Sequence, residues 1–165
     1  MNHLEALNSF GRELEQKPEP LALLVFGSVA KETYHPKSDI DTFIIYRSYP
    51  GLFKFDTTFY QGIKLGMSHL DFNHYRKSVI EKPYTKYVFT TSRVVFDKSG
   101  KVQHWITAVK RYFSANPDIQ AEWVRLNEAY EQEKRKYGAG RSSIFEVYKM
   151  LEQKYTGRVL QEEIP

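Results

Sequence analysis

No cysteine occurs in the 165 residues, so disulfides, thiolate metal sites and a thiol nucleophile are all excluded. No apolar stretch approaches the roughly 20 residues of a membrane span. The opening MNHLEALNSFGRELEQ has acidic residues and no long apolar core, so no signal peptide is expected. Internal repeats and low-complexity tracts are absent as well. Charge of one sign is scarce: 24 Lys and Arg stand against 20 Asp and Glu, a net +4. The excess is spread evenly, with no Lys/Arg cluster of the kind that tracks a phosphate backbone. Nucleic acid and membrane are therefore not expected partners, and a cytoplasmic location is compatible with the composition.

What is present is ordinary globular material. Hydrophobic residues make up 41% of the chain, and 12 Tyr and 11 Phe supply bulk for a core. The length suits one domain with a small helical appendage. The mild positive balance, with a pI near 9.1, suits a small polyanion such as a nucleotide.

The most informative stretch reads LLVFGSVAKETYHPKSDIDTFIIY. An apolar run from Leu21 to Phe26 predicts a strand that ends in the Gly27-Ser28 turn. After ten intervening residues Asp39 and Asp41 lead into a second apolar run, Thr42 to Tyr46. Two carboxylates two apart on a strand leave the same face. They repel unless a cation lies between them, and hard divalent ions such as Mg²⁺ take one or two carboxylates plus substrate phosphates. A Gly-Ser turn beside them lets backbone N–H groups approach a phosphate. The spacing points to metal-assisted phosphoryl or nucleotidyl transfer.

An apolar strand, Gly-Ser, ten residues and Asp-x-Asp together resemble the signature of the DNA polymerase β-like nucleotidyltransferase superfamily. The ten-residue spacing is similar to that of its minimal and antibiotic-type members. The resemblance covers Leu21 to Tyr46 well and is looser elsewhere. It implies that Gly27 and Ser28 hold a nucleoside triphosphate and that Asp39 and Asp41 bind Mg²⁺, with two ions possible. It also implies a third carboxylate on a later strand, as metal ligand or base. Where such families often carry Arg-Gly after the turn, this chain has Lys31-Glu32, and Lys31 keeps a positive charge toward the triphosphate. Ser38 stands just before the acidic pair, as a nucleotide-binding or turn-shaping residue. The implied activity moves a nucleoside monophosphate onto a hydroxyl of a small molecule or protein. An antitoxin-type minimal nucleotidyltransferase and an inactive nucleotide-binding module are the alternatives. A homodimer or a toxin-type protein partner fits either.

The candidate for the third carboxylate is Asp71 in SHLDFNHY. It keeps the phase of Ile63, Leu65, Met67 and His69, which alternate like a strand. The competing reading makes it the N-cap of a helix over Asn73–Glu81. If it is a cap, Gly66 and Ser68 offer no acid in its place. His35, His69 and His74 are read as incidental.

Elsewhere a helix is expected over Asn2–Gln16, capped by Asn2 and stopped by Pro18 and Pro20. Phe53–Tyr60 is ambiguous, and Arg93–Phe96 reads as strand. Helices follow over Val102–Phe113, from Asn116-Pro117 to a break at Gly138-Ala139-Gly140, and from a Ser143-x-x-Glu146 capping box onward. The tail after Gly157 is expected to fray. The fold class is α/β (α+β): a small mixed-sheet catalytic domain over residues 1–100, with a helical C-terminal part, 101–165, packed on it.

Overall fold

A computed structural model describes residues 2–51, 53–138 and 143–165. It opens with helix α1, His3–Glu15. Asn2 starts it with a reciprocal cap, its side chain accepting from the Glu5 N–H while Glu5 accepts from the Asn2 N–H. Strand β1, Pro20–Phe26, leads into a four-residue helical turn, α2, Gly27–Ala30. Strands β2 (Ile40–Tyr46), β3 (Lys54–Tyr60) and β4 (Ile63–Asp71) follow, so the ambiguous segment after Phe53 is a strand. Helix α3, Phe72–Glu81, and two short 3₁₀ turns precede β5, Arg93–Asp97. Helices α4 (Lys101–Ala115), α5 (Pro117–Tyr137) and α6 (Ile144–Tyr155) complete the chain. Ser143 caps α6 by accepting from the Phe145 N–H. Of the predicted break, Gly138 ends α5 in a left-handed conformation, and Ala139 and Gly140 lie outside the described residues.

The strands form one mixed sheet in the order β3-β4-β2-β1-β5. β2 and β4 run parallel and the other neighbours antiparallel, because the chain passes through edge strand β3 before returning between β3 and β2. Strand alternation gives the sheet two apolar faces. Leu23, Val25, Ile40, Ile44 and Leu65 point toward Ala6, Leu7 and Leu14 of α1. Ala22, Leu24, Ile45 and Leu70 point the other way, into the larger core with Trp105, Val109, Ile119, Trp123 and Leu151 of the C-terminal helices. Trp105 is fully buried, and burying a side chain of that size contributes about 2–3 kcal/mol. Its indole N–H donates to the Pro165 carbonyl, and that of Trp123 donates to Tyr84.

The tail departs from expectation. Leu160 and Ile164 are buried, the Leu160 N–H donates to Ile80, and Arg76 donates to the Ile164 carbonyl. Apolar side chains five and nine residues past the last helix gain enough burial to hold the segment down. Among the described residues no helix is long and apolar enough to cross a membrane.

Candidate active site

Phe26, the last residue of β1, pairs with Asp41 in β2, which sets the turn after β1 directly against the acidic pair. Gly27 takes a left-handed φ of +69°, a conformation that glycine adopts at little cost. A Cβ at Gly27 would stand 2.8 Å from Asp41 Oδ2. The residue is therefore required twice, by its backbone and by the carboxylate that occupies its side-chain space. Ser28 follows, half-buried, in the same turn.

Asp41 is half-buried and Asp39 exposed. Burial raises the Asp41 carboxyl above its ordinary range, and the neighbouring Asp39 charge raises it further. Lys134 of α5 and Lys64 of β4 oppose the shift. Lys64 also lies 3.7 Å from Asp39 Oδ2 as an exposed ion pair. The expected pair of adjacent, mutually repelling carboxylates is thus present, and their oxygens are hard donors of the kind that hold Mg²⁺. Phe43, two residues on, stacks on Phe26 at 4.4 Å and floors the site on that side.

The parallel register decides which β4 residues share this face. Asp41 pairs with Gly66, Phe43 with Ser68 and Ile45 with Leu70. Buried Thr42 locks that register by donating to the Gly66 carbonyl at 2.9 Å. Paired residues point to the same side of a sheet. Gly66, Ser68 and Leu70 therefore share the Asp41 face, while Leu65, Met67, His69 and Asp71 take the opposite phase.

Asp71 as third carboxylate is corrected on this point. It pairs with Tyr46, five residues along the strand from the Asp41–Gly66 pair, about 16 Å away. Its two oxygens accept from the Tyr49 and His74 N–H groups, and it is the N-cap of α3. Those backbone donors, with His74 first, hold its carboxyl below the usual range. The phase shared with Leu65 and Met67 is what removes it from the site. Among the described residues no cluster of three or more His, Asp and Glu is arranged to hold a metal ion.

Lys31 is exposed and ends the α2 turn, its N–H donating to the Gly27 carbonyl. Ser38 closes the loop, its hydroxyl accepting from the His35 N–H and its carbonyl meeting His3 Nε2. His69 lies on the other face, between the Tyr46 hydroxyl at 2.6 Å and Asp56 at 2.8 Å. Sequence reasoning missed Lys64, Lys134 and Phe55. The Phe55 ring lies 3.4 Å from where a Gly66 Cβ would stand, so it borders the site from β3. Only alternation within Ile63–Met67 hinted that Lys64 left the strand face beside Gly66.

No curated protein matches the chain. A nucleotidyltransferase-like protein from Exiguobacterium sibiricum 255-15 shares its fold at 10% identity and a TM-score of 0.51, over 98% of this chain and 69% of that one. A toxin-antitoxin solved with AMP-PNP is more distant, at 14% identity and a TM-score of 0.39, over 77% of this chain and 97% of that one. The family profile described as "Polymerase beta, Nucleotidyltransferase" matches residues 9–101. That match takes in more than half of the chain and the whole β1–turn–β2 unit, and the chain accordingly belongs to the polymerase β-type nucleotidyltransferase family.

Proposed function

We propose that the chain is a Mg²⁺-dependent nucleotidyltransferase that moves a nucleoside monophosphate from a nucleoside triphosphate to a hydroxyl of a small molecule or protein. The observation that carries this reading is the Gly27 turn packed against Asp41, beside Asp39. Asp39 and Asp41 would hold the cation. Bound there, Mg²⁺ supplies charge neutralisation for the triphosphate. The Gly27 and Ser28 backbone N–H groups cradle phosphate oxygens, and Lys31, Lys64 and Lys134 add positive charge around them. Ser38 keeps the loop that delivers Asp39 closed. The acceptor oxygen attacks the α-phosphorus, the bond to the β-phosphate oxygen breaks, and pyrophosphate leaves. With Gly66 beside Asp41 in place of an acid, the acceptor proton passes to solvent. We assign this chemistry to residues 1–100 and the holding of the acceptor to the helical part, 101–165. A cytoplasmic setting, where nucleoside triphosphates and Mg²⁺ are available, follows from the reading.

A second reading, nucleotide binding without transfer, is favoured by Gly66 and by the Lys64–Asp39 pair. Incubation with α-labelled nucleoside triphosphates, Mg²⁺ and a panel of hydroxyl acceptors separates the two. Label transfer with release of pyrophosphate, lost in Asp41→Asn, supports the first. Saturable Mg²⁺-dependent binding with no transfer to any acceptor supports the second, and the absence of both overturns each.

A further inference from the structure

β3 is one end of the sheet, and its outer edge pairs with no strand among the described residues. Soluble proteins normally guard such edges with charge, proline, a bulge or a covering element. β3 has none of these on the face it shares with Asp41, where Phe55, Thr57 and Phe59 alternate. Phe55 is 57% exposed and Phe59 72%, and Phe53 just ahead of the strand is 49% exposed. Three exposed phenylalanines within seven residues, on an open edge, mark an interaction surface.

We propose that this edge pairs antiparallel with the same edge of a second copy of the chain, about a two-fold axis at Thr57, joining two five-stranded sheets into one. The strand KFDTTFY is arranged for it. Phe55 and Phe59 stand two residues either side of Thr57, so the axis sets each Phe55 opposite Phe59 of the second copy. Aromatic pairs across antiparallel strands are a main source of sheet stability. Slipping the register by one residue turns the phenylalanines toward the wrong face.

The opposite face is complementary as well. Lys54 comes opposite Tyr60 of the second copy, whose hydroxyl donates to Glu13 of α1 at 2.8 Å. An ammonium therefore arrives beside a carboxylate, twice by symmetry. Asp56 comes opposite Thr58, and no like charges meet. Asp41, Gly66 and Thr57 are in register across β2, β4 and β3. The two acidic pairs then lie on one face of the joined sheet, five strand spacings or about 24 Å apart.

The cysteine-free sequence gives a clean test, independent of the catalytic reading. In Thr57→Cys the two thiols meet at the axis, within disulfide range. Oxidation is expected to give a covalent species of twice the 19.4 kDa chain mass, reversed by reductant. Phe59→Cys sets its thiols about 13 Å apart along the paired strands and is expected to stay uncrosslinked. In sedimentation the wild-type chain is expected to be a dimer, and Phe59→Lys to weaken it by about tenfold or more. Combining Phe55→Glu with Phe59→Lys places opposite charges across the axis and is expected to restore it. The replaced side chains are exposed, and circular dichroism confirms that each variant is folded. A wild-type chain that stays monomeric at micromolar concentration overturns the proposal. So do equal crosslinking at positions 57 and 59, or a double variant no better than Phe59→Lys.

Discussion

Asp41 is the residue whose protonation and whose proposed role pull in opposite directions. Its raised carboxyl keeps a proton in the folded chain over a range where the unfolded chain has already lost it. Stability therefore falls as pH rises from the ordinary value of 3.8 through the raised one, and stays lower at neutral pH. Asp41→Asn is expected to melt at a higher temperature than wild type at pH 7, and to show no further rise with Mg²⁺ and nucleotide. Differential scanning calorimetry with and without Mg²⁺-nucleotide reads both effects. Asp71 gives the contrary pattern. As the cap of α3 it should tolerate Asn, while Asp71→Ala loses about 1 kcal/mol in urea unfolding, with nucleotide binding unchanged in both. A large loss of binding in a stable Asp71→Asn chain would contradict the cap assignment. The juxtaposition of Gly27 with Asp41 was legible because it runs between two strands joined by one short loop. The face of Asp71 was not, because it depends on pairing β4 with β2 across an intervening strand. Lys134, from a helix more than ninety residues beyond Asp41, left no local trace at all.

At the scale of elements, most boundaries followed local chemistry. Pro18 and Pro20 stop α1, Asn2 starts it, and Pro117 opens α5. β3 was ambiguous because the phase of Phe53, Phe55 and Phe59 is interrupted at Thr57, and these rings stay exposed instead of entering a core. The tail misled for another reason. Val159-Leu160 and Ile164 are short apolar patches in a polar segment, and only the core that Leu160 and Ile164 enter shows their use. Removing residues 159–165 uncovers Trp105 and leaves the Ile80 carbonyl and the Trp105 N–H without their present partners. The truncated chain is expected to lose about 3 kcal/mol or more of unfolding free energy, with a red shift of tryptophan emission. Unchanged melting after truncation would show that the segment contributes little.

For the molecule as a whole, a lysine outside the site makes stability respond to pH. Lys86 is buried, and its ammonium donates to Ser78 and Thr85 with the Tyr75 ring 5.3 Å away. Burial, helped by the Lys82 charge, pushes it down to about 7. An unfolded lysine keeps its proton to about 10.5, so the unfolded chain binds more protons between these values. Stability should therefore rise with pH above about 7, by an amount on the order of a few kcal/mol in total. Lys86→Met is expected to be more stable than wild type at pH 6 and to flatten the rise, as read by urea unfolding at several pH values. An equally steep rise in the variant would assign the effect to other groups. No sequence pattern signalled this lysine, because it sits between two 3₁₀ turns and only the packed core makes it costly.

The Asp41–Gly66–Phe55 contact also constrains how such a site can change over generations. The first side-chain carbon of any new residue at 66 arrives 3.3 Å from Asp41 Oδ1 and 3.4 Å from the Phe55 ring. An acid gained there by a single replacement meets the repelling Asp41 carboxylate, while the Phe55 ring, 57% exposed, has room to turn outward. The obstacle to a third acid is therefore electrostatic more than steric, and a cation held between the carboxylates lowers it.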